Sequence, residues 1–330
     1  MPGDAIRYEA GAENLTLRRP HALLAFGGWV DAGSGGTGAV RHVISSLSAR
    51  RLAHIDPEEF YSFTDTRPLV SIVGPGERAV HWPRAELHVA SVPPDHDLVL
   101  FIAPEPNLKW RGFAQTLLDA LQHFKVQSLV CVGSIFGAVH HRAEVRLTGW
   151  ANEPRLREAI LRRNVVFTNY EGPTGFVTVL LAEAQSRGLP AAAVMGFAPN
   201  YIQGVPNPRV SHALLRTFSS VTGLPLELNE LARAGRALTR QVDRLLTEQP
   251  QLREQVERML NLMNVTEPLV STEEEDEPEA SMPSPDAPPP GSHNVELPSG
   301  QAVVSELEEF LKQLRERDNG SNAPESGTNF

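Results

Sequence analysis

The hydrophobic pattern of the chain repeats one order of elements: a short apolar run, a loop rich in Gly or Pro, then apolar positions spaced as on a helix. The first copy starts with residues 22–26, turns at Gly27-Gly28 and continues into a helical pattern over residues 40–47. Similar apolar runs recur at residues 97–103, 128–135 and 191–197. Strands covered by helices on both faces read as such runs, and helical crossovers make neighbouring strands parallel. The pattern predicts an α/β fold, in which a three-layer structure holds a mostly parallel sheet flanked by helices.

The segments between these runs predict the remaining elements of the core. Helices are expected over residues 111–124, 154–162, 173–187 and 208–221, and short strands over residues 51–56 and 165–169. Pro173 suits the first turn of its helix, where an N–H group is not needed, and Gly188 suits its end. Residues 61–92 mix β-prone pieces with Gly and Pro turns, which predicts a hairpin-like insertion.

The last third of the chain changes character twice. A helical pattern over residues 228–263 breaks near Pro250, and Ser305 with Glu308 forms a capping box before a short apolar face. The predicted segments are an N-terminal segment (1–19), an α/β core domain (20–226), a helical hairpin packed on the core (227–264), an acidic Pro-rich disordered linker (265–301), a short amphipathic helix (302–317) and a disordered tail (318–330).

The acidic charge is concentrated in one of these segments. The net charge is -10, but residues 266–300 hold nine acidic side chains and no Lys or Arg, which leaves 30 basic against 31 acidic groups elsewhere. A near-neutral remainder lacks the basic surface that a phosphate backbone requires, so we expect no nucleic-acid partner. The one cysteine, Cys131, has no disulfide partner, and no run resembles a secretory signal or a membrane span. We therefore expect a cytoplasmic protein without a membrane partner.

Residues 33–38 satisfy the G-x-G-x-x-G dinucleotide fingerprint, and Asp56 follows at the distance that this fingerprint requires. In a true site the first glycine turns directly off the strand, whereas here residues 27–32 intervene. The segment also lacks the Lys of a phosphate-binding P-loop. We interpret these small residues as the close contact of a helix, and we expect no cofactor.

Polar side chains follow the predicted strands at the carboxyl edge of the sheet, where ligands of open α/β folds bind. Asp31 lies where the first strand meets its helix, and the sequence leaves open whether it caps the helix or binds a ligand. Glu105 follows the second strand, and we expect it to pair with Arg111, because an Arg at a helix start is unfavourable with the helix dipole.

A third strand is followed by His140, His141 and Arg142. Adjacent histidines suggest metal binding or proton transfer, but no third ligand has the spacing of a zinc site, so we expect a surface loop without metal. Ser134 lacks the G-x-S-x-G elbow, and burial in an apolar strand would keep the Cys131 thiol protonated. No nucleophile can be matched with a base, and no catalytic residue is assigned.

Five segments together resemble the proteasome assembly chaperone 2 family. They are F-G-G-W-V-D-A-G (26–33), A-P-E-P-N-L-K-W-R-G-F (103–113), G-S-I-F-G-A-V-H-H-R (133–142), Y-E-G-P-T-G-F (170–176) and A-P-N-Y-I (198–202). The resemblance implies a core similar to nucleoside phosphorylases, generally without a demonstrated reaction, and self-association or pairing between relatives. Eukaryotic members are similar in acting as non-catalytic chaperones of proteasome assembly. The third motif usually reads His-Thr-Arg-Pro, so only His140 and Arg142 carry over.

Two hypotheses about function follow. The first is a non-enzymatic cytoplasmic binding protein, resembling proteasome assembly chaperones, that forms a homo-oligomer and binds an unidentified protein partner. The second is a small-ligand-binding protein, or a phosphorylase- or hydrolase-like enzyme, with a site at the carboxyl edge of the sheet. The candidate site residues are Trp29, Asp31, Glu105, Trp110, Arg111, His140, Arg142, Glu171 and Thr174.

Overall fold

The computed structural model describes residues 5–264 of the chain. Its strands are β1 (Ile6–Tyr8), β2 (His21–Gly27), β3 (Arg50–Ile55), β4 (Leu69–Gly74), β5 (Glu77–His81), β6 (Ala85–Val92), β7 (His96–Pro104), β8 (Ser128–Gly137), β9 (Leu147–Ala151), β10 (Val165–Phe167) and β11 (Ala191–Pro199). Its α-helices are α1 (Gly35–Ser46), α2 (Trp110–His123), α3 (Pro154–Leu161), α4 (Phe176–Ser186), α5 (Pro208–Thr222), α6 (Asn229–Glu248) and α7 (Pro250–Asn264).

Nine strands form one sheet in the order β1-β3-β6-β7-β2-β8-β11-β9-β10. The central strands β7, β2, β8 and β11 are parallel, whereas β6, β3 and β1 on one side and β9 on the other pair antiparallel with their inner neighbours. The predicted α/β class is confirmed, with a mixed sheet whose parallel part is mainly its centre. The connections explain part of this arrangement: β6 and β7 are joined by a tight turn, which makes them antiparallel, whereas β7 and β8 are joined by α2 and lie parallel in the sheet.

Helices cover both faces of the sheet, as the apolar strands predict. Along β2, Leu24 and Phe26 face one core with Phe113 of α2 and Phe176 of α4. The alternate residues Leu23 and Ala25 face the second core, which α1, α3 and α5 complete. Because successive side chains of a strand point to opposite faces, one fully buried strand supplies both cores. The three-layer arrangement fixes where each strand-end loop emerges.

Two local predictions differ from the structure, and two short strands were not predicted. The insertion at residues 61–92 divides: β4 and β5 form a separate two-stranded sheet, while β6 joins the main sheet. Helix α4 begins at Phe176, so Pro173 lies before the helix and not in its first turn. The short strands β1 and β9 carried no apolar run long enough to be predicted. Gly188 is left-handed, with φ of 67°, and follows Arg187, the C-cap residue of α4, as expected for the end of this helix.

The C-terminal helices fall into two units. Helix α6 belongs to the compact unit that ends at Glu248, and α7 belongs to a second unit that starts at Gln249. The break at Pro250 is confirmed, since α7 starts there. The predicted linker (265–301), amphipathic helix (302–317) and tail (318–330) lie outside the described residues, and the division into domains stays a prediction. Among the described helices, none combines the length and the hydropathy needed to cross a bilayer.

The small residues of the G-x-G-x-x-G segment let α1 lie directly on β8. A Cβ added at Gly36 would lie 2.6 Å from the Val132 carbonyl oxygen and 2.8 Å from Gly133 Cα. At Gly35 it would lie 2.6 Å from Ser134 Oγ. The contacts at Gly36 are with backbone, which cannot rotate away. This geometry agrees with the interpretation of these glycines as a packing feature.

We expect Gly36→Ala to lower the free energy of unfolding by about 1–3 kcal/mol, because the added methyl group must push α1 away from β8. Denaturant unfolding measures this loss. The matched control is Gly112→Ala in α2, where the added Cβ would meet only Phe60 Cε1 at an ordinary 3.7 Å. Since Ala favours a helix over Gly, this control should keep or raise the stability. Equal losses in both variants would contradict the packing role.

Candidate functional site

Asp31 caps helix α1 from the loop that follows β2. Its Oδ1 accepts the backbone N–H groups of Gly36 at 2.9 Å and Thr37 at 3.0 Å, and its Oδ2 accepts the Thr37 hydroxyl at 2.5 Å. Between Asp31 and the start of α1 the backbone turns at Gly33, which is left-handed with φ of 57°. Burial raises the pKa of the Asp31 carboxyl above its usual range, although the bonds from Thr37 and Gly36 act in the opposite direction. Both carboxylate oxygens are therefore engaged within the fold.

The contacts of Asp31 also engage backbone N–H groups of the G-x-G-x-x-G segment. A nucleotide phosphate would need the free N–H groups at the start of α1, and two of these donate to Asp31. A second anion there would meet the carboxylate at close range. The structure thus agrees with the choice of helix packing over a cofactor site.

Glu105 caps a different helix from the end of β7. Its Oε1 accepts the backbone N–H of Phe176 at 2.6 Å, at the first residue of α4. The expected pair with Arg111 does not form within the described part of the chain, and this expectation was wrong. A carboxylate gains more from a helix N-terminus, where the N–H groups lack partners, than from an exposed guanidinium.

Four of the predicted residues meet around the start of α4. A Cβ at Gly175 would lie 3.0 Å from Glu105 Oε1 and 3.3 Å from Trp29 Cε3, so the Trp29 ring lies over this glycine. The Trp110 ring meets the Phe176 ring edge-on at 6.0 Å. Thr174 donates its hydroxyl to Thr178 Oγ1 at 2.6 Å. We call Trp29, Glu105, Trp110 and Thr174 the rim cluster.

Arg111 and Glu171 lie near this cluster in sequence but remain exposed. Neither side chain forms an ion pair or a hydrogen bond with another residue in the range that the structure describes. Their role as ligand-binding residues stays a prediction.

His140 and Arg142 belong to a second group, which contacts helix α6. Arg142 Nε donates to Asp243 Oδ1 at 2.7 Å. The buried neighbour His141 contacts the same oxygen through Nε2 at 2.8 Å, and its Nδ1 lies 2.8 Å from the Tyr201 hydroxyl. His140 stacks on His141 with ring centres 4.4 Å apart. We call His141, Arg142, Tyr201 and Asp243 the α6 anchor, since they join the loop after β8 to α6.

The electrostatics of the α6 anchor follow from burial and charge. Burial lowers the pKa of His141, although the bond to Asp243 opposes this effect. The Arg142 guanidinium holds the pKa of Asp243 below its usual range. Burial raises the pKa of Tyr201 to about 12, so its hydroxyl stays protonated and able to donate. Tyr201 lay in the segment 198–202 that carried the family resemblance, whereas Asp243, remote in sequence, gave no local signal.

The reactive groups considered from the sequence are buried. Burial raises the pKa of the Cys131 thiol to about 12, as the apolar strand predicted. The Ser134 hydroxyl is fully buried and donates to the Ala32 carbonyl oxygen at 2.7 Å.

Comparisons with known proteins extend this description. A model of the PAC2 family matches residues 25–246. The PAC2 family protein of Streptomyces avermitilis is 33% identical with a TM-score of 0.64, and the match covers 68% of this chain and 95% of that chain. The proteasome-assembly chaperone homologue of Mycobacterium tuberculosis is 30% identical with a TM-score of 0.65, and the match covers 69% of this chain and 96% of that chain. The archaeal proteasome activator PbaB of Pyrococcus furiosus shares the fold at 18% identity, with a TM-score of 0.56, over 73% of this chain and 97% of that chain. A search of curated proteins gives no match.

Fold and site first define a class: three-layer α/β proteins with a mixed sheet, in which carboxylates at the strand ends cap the helices. Within this class the chain belongs to the PAC2 family, because the family model covers more than half of its length. The family resemblance expected from the five sequence segments is confirmed.

The capping role of Asp31 predicts different results for two substitutions. Asp31→Ala should lower the free energy of unfolding by about 1–2 kcal/mol, since two helix N–H groups lose their acceptor. Asp31→Asn keeps an oxygen for these N–H groups and should lose less than half as much. Denaturant unfolding of both variants measures the difference. Unchanged stability in Asp31→Ala would contradict the capping role.

The lowered pKa of His141 predicts a pH dependence of stability. A histidine that is neutral when folded takes up a proton on unfolding, so its contribution is present above the usual pKa of 6.5 and is lost as the pH falls below it. The melting temperature should therefore fall between about pH 7 and about pH 5 by less in His141→Gln than in the parent chain. His123→Gln, which removes an exposed histidine of α2 outside the β4–β5 hairpin, is the control. An identical fall in parent and His141→Gln would contradict this assignment.

Proposed function

We propose that this chain is a chaperone-like protein that associates with other protein chains, beginning with copies of itself, and that it catalyses no reaction. The observation that carries the proposal is the β4–β5 hairpin, whose apolar side chains face solvent. Membership of the PAC2 family and the names of its relatives support the same class of function.

The hairpin is apolar on both faces. Leu69, Val70 and Ile72 of β4 are 71%, 61% and 80% exposed, and Val80 of β5 is 55% exposed. Successive residues of a strand point to opposite faces, so the exposure of both Leu69 and Val70 places apolar groups on each side. A two-stranded hairpin is at best marginally stable alone in water, and clusters of exposed apolar side chains mark protein contacts. The hairpin therefore suits burial in an interface.

A second copy of the chain is the partner that we assign to the hairpin. The two-stranded sheet leaves one edge of β4 and one edge of β5 without a strand partner in the described chain. Open edges with apolar side chains are templates for pairing with another strand. An identical hairpin supplies both the edge and the apolar surface that this one lacks.

The rim cluster supports binding of protein over catalysis. The carboxylates of Asp31 and Glu105 accept hydrogen bonds from helix N-termini. Few ionisable groups therefore remain at this edge of the sheet for acid–base chemistry. Trp29 is 64% exposed, and Tyr170 in the neighbouring loop is equally exposed. Exposed Trp and Tyr side chains are enriched at protein interfaces. We infer that this edge contacts a protein partner, while a small-ligand site there stays a prediction.

The partner class follows from the relatives. One is described as a proteasome-assembly chaperone homologue and another as an archaeal proteasome activator. We propose that this chain likewise binds proteasome subunits during assembly. We place this activity in the cytoplasm, where the single buried thiol of Cys131 would remain reduced.

Self-association through the hairpin predicts that Leu69→Lys with Ile72→Lys dissociates the oligomer. The double variant should raise the dissociation constant at least tenfold, because burying two such side chains contributes on the order of 2–3 kcal/mol. Light scattering over a range of protein concentrations measures it. Leu161→Lys with Val166→Lys, which places the same charge on apolar side chains 48% and 68% exposed outside the hairpin, is the control and should assemble normally. The proposal fails if the parent chain is a monomer, or if both variants assemble as it does.

The chaperone role is tested by reconstitution of proteasome particles from purified subunits of the same organism. Added chain should increase the rate of particle formation and be absent from the finished particle. An unchanged rate together with no binding to any subunit would overturn the proposal, and so would turnover of a small substrate by the chain alone.

A further inference from the structure

We infer that a cavity lined by arginines, remote from the rim cluster, binds a small organic molecule carrying at least two phosphate groups. The cavity has a volume of about 630 Å³ and is lined by the start of β9, the turn between α3 and β10, and the facing sides of α5 and α6. We call it the arginine cavity. Its basic side chains are Arg146, Arg163, Arg209, His212, Arg216, Arg236 and Arg240.

The fold assembles these side chains from separate segments. Arg209 and Arg216 are seven residues apart on α5, and Arg236 and Arg240 are four apart on α6, so each pair lies on one helix face. Arg163 comes from a third segment, between α3 and β10. Gly235 of α6 admits Arg209, whose Cγ would lie only 2.8 Å from an added Cβ. The cavity is therefore positive on more than one wall.

Acidic side chains are scarce in the lining of the cavity. Glu144 is the only acidic residue that lines the cavity, and Arg163, Arg216, Arg236 and Arg240 form no ion pair with any described residue. The Nε atom of Arg163 is buried and lacks a hydrogen-bond partner. Burial, with the charges of Arg216 and Arg236, lowers the pKa of His212. Grouped like charges repel, and a buried donor without an acceptor is destabilising, so the cavity favours an anion.

The chemistry of the lining selects phosphate groups on a small molecule. The guanidinium group is planar and donates two parallel hydrogen bonds to phosphate oxygens. Guanidinium groups from several separate segments suit two phosphate groups better than one. The volume lies within the range of small-molecule sites, and Leu147, Ala213 and Leu231 supply apolar surface for an organic portion.

Calorimetry with the full-length chain tests this inference, with orthophosphate, pyrophosphate and tripolyphosphate as probes. Tripolyphosphate should bind at least tenfold more tightly than orthophosphate. Arg216→Gln with Arg236→Gln should weaken tripolyphosphate binding at least tenfold, since each lost charged hydrogen bond accounts for about tenfold. Arg244→Gln, an exposed arginine of α6 outside the cavity, should change binding less than twofold.

The unfolding of the double variant without probe separates binding from folding. Removal of like charges should leave the melting temperature unchanged or raise it. The inference is overturned if the three probes bind equally, if the double variant binds tripolyphosphate as the parent does, or if no probe binds. Tighter binding of a single-stranded oligonucleotide through the same arginines would also overturn it, because nucleic acid would then be the ligand.

Discussion

The architecture depends on carboxylates that satisfy the free N–H groups of helices at the carboxyl edge of the sheet. Asp31 lies after β2 and accepts backbone N–H groups at the start of α1. Glu105 lies after β7 and accepts a backbone N–H group at the start of α4. These two helices pack on opposite faces of the sheet. Unsatisfied N–H groups at a buried helix end are unfavourable, so each carboxylate also fixes the loop that carries it. The positions of Trp29 and of the loop before α4 follow from these contacts.

The same constraint directs the functional interpretation. In many α/β proteins the free helix N-termini at this edge bind the anionic part of a substrate. In this chain the carboxylates of Asp31 and Glu105 occupy the N-termini of α1 and α4 in place of a substrate anion. In the described part of the chain, the surfaces that we assign to partners are the exposed aromatic groups of the edge, the apolar hairpin and the arginine cavity. The first two suit protein contacts, and the third suits a charged small molecule, so association and ligand binding would occupy different parts of the molecule.

The sequence predicts what is determined locally. Strands such as β2, β7, β8 and β11 are continuous apolar runs, and their order with the helices was enough to predict three layers. Short strands such as β9 depend on pairing with a neighbour already in place, which no local pattern records. The capping contacts of Asp31 depend on the positions of Gly36 and Thr37 in space, which no local pattern gives. Asp243 and Arg142 are 101 residues apart in the sequence, so no local pattern predicts their contact. The arginines of the cavity also come from distant segments and meet only when the helices pack.

The central claim is that this protein acts through association of its exposed hairpin. Amide hydrogen exchange of the full-length chain, compared at protein concentrations above and below that of assembly, tests it most directly. The account predicts strong protection of the amides of residues 69–81 in the assembled state and rapid exchange after dissociation, with the central strands unchanged. Equal exchange of these amides at both concentrations, with protection confined to another surface, would contradict it.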